Sequence, residues 1–149
     1  MRVADLIVET LEQCGATTVF TVTGGGAMHL NDAFGLNKAF EKIYCHHEQA
    51  CAMAAEAYAR LSGKPAVVNV TTGPGGLNAL NGVFGAYTDS IPMLVVSGQV
   101  KRETLISTSE LPARQIGDQE VDIISIVRQG LTKAAFQLDS PANAAAIVR

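Results

Sequence analysis

The chain has 149 residues, 48% of them hydrophobic and 17% charged, with a formal net charge of −3. That length fits one domain able to bury a core, the apolar content excludes disorder, and the mild acidity supplies no basic face for nucleic acid. Three cysteines without a Cys-x-x-Cys pair, no run near ~18 apolar residues, and Asp5 where a signal peptide is apolar point to a cytoplasmic domain without disulfides or membrane spans.

Val3, Leu6, Ile7, Leu11 and Cys14 recur at helical spacing, with Gly15 as a stop. The run from Thr18 to Val22 is β-branched and aromatic and predicts a strand, followed by a glycine loop and a short helix over about 27–34. A second strand is expected near Ile43–Cys45, then a long alanine-rich helix from Glu48 to Leu61 closed by Gly63-Lys64-Pro65. Ala66 to Thr71 predicts a third strand, Gly73-Pro74-Gly75-Gly76 a break, and Leu77 to Tyr87 a helix. A fourth strand follows over 93–97. The remainder reads as a long loop over 101–117, a helix over about 119–128, a short strand near 132–138 and a helix opened by Ser140-Pro141.

Strands that are apolar throughout and alternate with helices indicate an α/β fold: a three-layer sandwich with a mostly parallel central sheet and helices on both faces. The last helical segment runs into Arg149 without a cap or a following strand, so the chain is expected to be part of something longer.

The glycine clusters stand at strand-to-helix turns, where open α/β sheets bind ligands. Gly24-Gly25-Gly26 is not a dinucleotide fingerprint, because His29 stands where the last glycine belongs. Thr71-Thr72-Gly73-Pro74-Gly75-Gly76 lacks the Gly-Lys-Ser/Thr ending of a phosphate loop. Both turns still present backbone N–H groups to a polar or anionic ligand, or serve only as tight turns. Cys45-His46-His47-Glu48 with Cys51 has poor metal-ligand spacing, and Cys51 reads as a small core residue. Glu48, at the first turn of the alanine-rich helix, has two readings that remain open. It complements the helix dipole, or it is a desolvated carboxylate at the ligand-binding edge.

Taken together these motifs resemble the N-terminal, pyrimidine-binding domain of thiamine-diphosphate enzymes of the acetolactate synthase type. His47-Glu48-Gln49-Ala50 through Ala57-Tyr58-Ala59-Arg60 is similar to the family's H-E-Q-A-A…G-Y-A-R helix. Thr71-Thr72-Gly73-Pro74-Gly75-Gly76-Leu77-Asn78 resembles T-S-G-P-G-x-x-N, and Tyr87-Thr88-Asp89-Ser90-Ile91-Pro92 through Ser97-Gly98-Gln99-Val100 resembles Y-x-D-S-I-P…x-G-Q-V. Gln119-Glu120-Val121-Asp122 matches the end of F-Q-E-V-D. The departures are Asp118 for an aromatic, Ala57 for a glycine, and Val22-Thr23-Gly24-Gly25-Gly26 for V-P-G-G. They bear on the second substrate rather than on the cofactor, and that loop is more similar to carboligases associated with surface-polysaccharide sugars.

The resemblance implies that Glu48 exchanges a proton with the pyrimidine of thiamine diphosphate, so that thiazolium C2 is deprotonated and attacks a 2-oxo acid such as pyruvate. Carbon dioxide leaves, and the remaining fragment adds to a second carbonyl acceptor. It further implies that Val22, Thr23, Gly24, Gly25, Thr71, Pro74 and Asn78 line the cofactor pocket, with Gln119 toward the cofactor or substrate side. Mg2+ would be held by a separate C-terminal domain through a G-D-G motif. Gly117-Asp118 is followed by Gln119, so the chain has no such motif and no metal ligand is assigned to it. The implied site lies between subunits of a homodimer or homotetramer. Whether FAD is bound by a middle domain stays open, as does the alternative of a stand-alone nucleotide- or anion-binding module.

Overall fold

The apolar runs become alternating strands and helices in the computed structural model, which describes residues 1–101, 103, 123–138 and 140–148. In chain order these are α1 (Val3–Gln13), β1 (Thr18–Thr21), a 3-10 turn (Gly25–Ala27), α2 (Met28–Leu36), β2 (Glu41–Tyr44), α3 (Glu48–Ser62), β3 (Ala66–Val70), α4 (Pro74–Asn78), α5 (Leu80–Thr88) and β4 (Met93–Ser97). They are followed by α6 (Ile123–Arg128), a second 3-10 turn (Pro141–Asn143) and α7 (Ala144–Val148).

The four strands form one sheet in the order β2-β1-β3-β4, every pair parallel. Successive side chains of a strand point to opposite faces, so a strand buried on both sides must be apolar throughout. Val19, Val67, Leu94 and Val96 face α1 and α2, where they pack with Ile7, Val8, Leu30 and Phe34. Phe20, Val68, Val70, Met93 and Val95 face the other way, into a cluster with Cys51, Ala52, Ala55 and Val83 of α3 and α5. Two cores on opposite faces of one parallel sheet make the three-layer α/β sandwich that the strand composition predicts.

Local chemistry explains most boundaries. α3 begins after His47, whose Nδ1 accepts from the Gln49 N–H at 3.1 Å, and ends at Gly63, whose φ of 68° suits a residue without Cβ. The one helix expected over Leu77–Tyr87 is two, α4 from Pro74 to Asn78 and α5 from Leu80 to Thr88, and the first begins with a proline. Proline tolerates a first helical turn because the N–H it lacks would be unpaired there. Gly73 before it has φ 60° and ψ −121°, which explains the glycine. The 3-10 turn opened by Pro141 is capped by Ser140, whose side chain accepts from Ala142 N.

One expected element is corrected. Residues 132–138 are not a strand. Side chains of the region itself engage its backbone: Arg128 Nε donates to the Ala135 carbonyl at 2.5 Å and Thr132 Oγ1 to the Val127 carbonyl at 3.0 Å. Phe136 lies exposed beneath the Arg128 guanidinium, 5.6 Å from its ring centroid, instead of alternating into a sheet. Most of the expected loop over 101–117, the start of the helix near 119, and Gln119 itself lie outside the described residues. No helix among the described residues is long and apolar enough to cross a membrane.

Candidate functional site

The strand order places β1 between β2 and β3, so the chain leaves β1 to one side and returns on the other. That switch point opens a crevice at the carboxyl ends of the strands, the usual ligand position in such sheets. Three segments converge there: Val22–Gly26 after β1, Cys45–His47 leading into α3, and Thr71–Gly75 after β3.

Thr71 ties the first and third together. Its Oγ1 accepts from the Gly26 N–H at 3.2 Å. A Cβ on Gly24 would come 2.5 Å from the Thr71 Cβ, and one on Gly75 would come 2.6 Å from the Thr71 Cγ2. Both approaches are closer than real Cβ contacts, so glycine alone lets the two loops close on this side chain. From the far side, Gly98 after β4 presses on the first loop, where a Cβ would stand 2.2 Å from the Gly26 carbonyl oxygen. Ser97 Oγ donates to the Thr71 carbonyl at 2.9 Å.

Glu48 opens α3 in this setting and is half-buried. Its Oε2 accepts from Asn78 Nδ2 at 3.2 Å, and its Oε1 lies 3.3 Å from the place a Cβ on Gly75 would occupy. The helix N-terminus favours a negative charge there by about 0.3–1 kcal/mol. The carboxylate thus has Asn78 on one oxygen and the Gly75 backbone beside the other. Beneath it Cys51 is fully buried, and its thiol is pushed up to about 12 by burial first, then by the Cys45 side chain and the Glu48 charge. Cys51 is thus a neutral core residue, as its helical position implied.

Of the residues singled out in the sequence, Glu48, Asn78, Thr71 and Gly24 meet at this edge. Val22 turns its side chain into the α3-side core, Thr23 and Gly25 are exposed on the loop, and Pro74 is exposed at the start of α4. Local patterns missed Asn69 and Asn31, a buried and a half-buried amide just below the Gly24 loop. The signal was present: Asn69 is the one amide in an otherwise apolar strand.

This donor set fits an aminopyrimidine ring. A ring nitrogen needs one protonatable partner, which Glu48 offers, and an exocyclic amine needs carbonyl acceptors, which a glycine loop exposes without side-chain obstruction. Glycine at 75 lets the backbone lie against Thr71 and the Glu48 carboxylate, where a Cβ would meet both.

Comparison with known proteins agrees. The model of the family described as "Thiamine pyrophosphate enzyme, N-terminal TPP binding domain" matches residues 1–126. The chain is 38% identical over 125 residues to an acetolactate synthase of Arabidopsis thaliana chloroplasts, covering 84% of this chain and 18% of that protein. It is 39% identical over 125 residues to the acetolactate synthase large subunit of Haemophilus influenzae, covering 84% and 20%. Over 145 residues it is 36% identical to the large subunit of Lactococcus lactis, covering 97% and 24%. The chain thus spans about a fifth of the length of these curated relatives. With the match over residues 1–126 and the crevice that Glu48, Asn78 and the two glycine loops build, the chain belongs to the thiamine pyrophosphate enzymes as an N-terminal TPP-binding domain.

Proposed function

We propose that residues 1–149 supply the pyrimidine-binding half of a thiamine-diphosphate-dependent carboligase of the acetolactate synthase type, acting on a 2-oxo acid such as pyruvate and a second carbonyl acceptor. The observation that carries this reading is the Glu48 carboxylate, hydrogen-bonded by Asn78 and set beside Gly75 at the sheet's switch point. Thiamine diphosphate, when bound, supplies a carbon nucleophile and an electron sink that no side chain provides. The chain's own residues orient it and move a proton.

Glu48 would hold a hydrogen bond to the pyrimidine ring nitrogen and exchange a proton there, with Asn78 keeping the carboxylate in place. The backbone of Val22, Thr23, Gly24 and Gly25 would line the cofactor pocket and could offer carbonyls to the exocyclic amine. Thr71 and Pro74 would shape the opposite wall, and the family resemblance alone assigns Gln119 to the substrate side. The diphosphate and its Mg2+ are held by a region beyond these residues, in a twofold or fourfold assembly that completes the site. A stand-alone anion-binding module is not favoured, since the family match spans both glycine loops and α3 together. The test is calorimetry with thiamine diphosphate and Mg2+ on the protein at its natural length, followed by pyruvate turnover. Mg2+-dependent binding tighter than about 10 μM, with carbon dioxide release and a new carbon–carbon bond, is expected. Absence of cofactor binding would overturn the proposal.

A further inference from the structure

Strand β3 reads Ala-Val-Val-Asn-Val and is buried along its whole length, yet its fourth residue, Asn69, is an amide only 1% exposed. Its Nδ2 donates to Thr21 Oγ1 at 3.0 Å and to Asn31 Oδ1 at 2.7 Å, while its Oδ1 has no hydrogen-bond partner among the described residues. A buried acceptor left unpaired opposes folding, and an aliphatic side chain of that size would not carry the burden. Stability of the strand therefore does not account for the amide.

Its geometry does point somewhere. The one hydroxyl proton of Thr21 goes to the Asn69 carbonyl, at 2.9 Å. Toward the Asn69 side chain Thr21 can only accept, which fixes the amide with its nitrogen facing the hydroxyl. That nitrogen also faces Asn31, which must answer with its oxygen. Asn31 is left with its own NH2 turned to the Gly24 carbonyl, 3.4 Å away. The direction of every link follows from the one before, and the relay runs from the middle of the sheet to the first glycine of the loop. Thr71 grips the same loop at the Gly26 N–H.

We infer that Asn69 and Asn31 are positioning residues, which set the Gly24–Ala27 turn so that its backbone meets the pyrimidine of the cofactor. The inference rests on the proposed function for its ligand, but the relay can be tested without it.

The test uses Asn69→Leu and Asn31→Asp in the protein at its natural length. Asn31→Asp keeps an oxygen for Asn69, removes the donor to Gly24 and sets a second acceptor against that carbonyl, so it breaks the same link. Amide exchange at Gly26 and Ala27, whose N–H groups bond Thr71 Oγ1 and the Gly24 carbonyl, should quicken by about tenfold while β1 and β3 amides hold. The KM for thiamine diphosphate should rise by about three- to tenfold with kcat at saturation within about twofold, and Asn69→Leu should not lower the denaturation midpoint. A merely structural amide would instead lower the midpoint and leave the KM alone. Unchanged exchange, or faster exchange with an unchanged KM, overturns the inference. A parent protein that does not bind the cofactor overturns the proposed function, and the exchange measurement still decides whether the relay holds the loop. If Asn69→Leu fails to fold, Asn31→Asp at its half-exposed position decides alone.

Discussion

At Thr71 three close approaches meet on one small side chain: Gly24 and Gly75 against its methyl and Cβ, and the Gly26 N–H on its hydroxyl. Thr71→Val keeps the shape and removes the acceptor, so it should destabilise the domain by about 0.5–1.5 kcal/mol and weaken cofactor binding, read by urea denaturation and calorimetry. The buried Cys51 gives a second residue-level prediction. Its thiol is pushed up to about 12, so it stays neutral through the physiological range, whereas Cys14 is exposed. An aromatic disulfide reagent at pH 8 should modify Cys14 rapidly and Cys51 only on unfolding. Rapid modification of Cys51 in the native state, told apart from Cys14 and the half-buried Cys45 by peptide mapping, would contradict the burial. At this scale the sequence was readable where a residue has a motif around it. Glu48 and Asn78 are singled out by their motifs, although nothing in their spacing says that Asn78 donates to Glu48. Asn69 had no motif. Only its polarity inside an apolar strand marked it, and the relay to Asn31 depends on strand register that local pattern does not encode.

Among the elements, the packing of α3 on α5 is the tightest joint near the site. Cys51, Ala52, Ala55 and Ala59 form a small, buried face on α3. Gly82 of α5 meets that face so closely that a Cβ would lie 2.7 Å from the Ala52 Cβ and from the Met53 nitrogen. Gly82→Ala should therefore cost about 1–3 kcal/mol by forcing the helices apart. Gly85→Ala, one turn on and with nothing within 4 Å, should instead stabilise by about 0.5–1 kcal/mol through helix propensity. Denaturant melts of the two variants decide this, and equal effects would contradict the packing. Strands bounded by glycine or proline were legible almost to the residue, as at β4. The segment 132–138 was not, because hydrogen bonds from Arg128 and Thr132, not hydrophobic alternation, set its path.

For the whole molecule, composition and element order sufficed for a parallel α/β sandwich, but the order β2-β1-β3-β4, and with it the switch point, is a long-range result that no single window contains. The same scale bears on assembly. Met53 of α3, Leu77 of α4, and Phe84 and Tyr87 of α5 are 46%, 38%, 49% and 44% exposed, an apolar group on the side of the sheet where Glu48 begins α3. Twofold association over this side is the proposed cover. Sedimentation of the protein at its natural length should show a dimer or larger species, which Phe84→Asp weakens; a monomer at every concentration would contradict it. The central claim is that Glu48 exchanges the proton that readies the cofactor. Glu48→Gln preserves the shape and an oxygen for Asn78 but cannot take up or release that proton. With cofactor saturation established separately, hydrogen–deuterium exchange at C2 of bound thiamine diphosphate should fall by more than ~10²-fold in Glu48→Gln. Exchange within about threefold of the parent protein would mean that Glu48 merely begins a helix, and the account would be wrong.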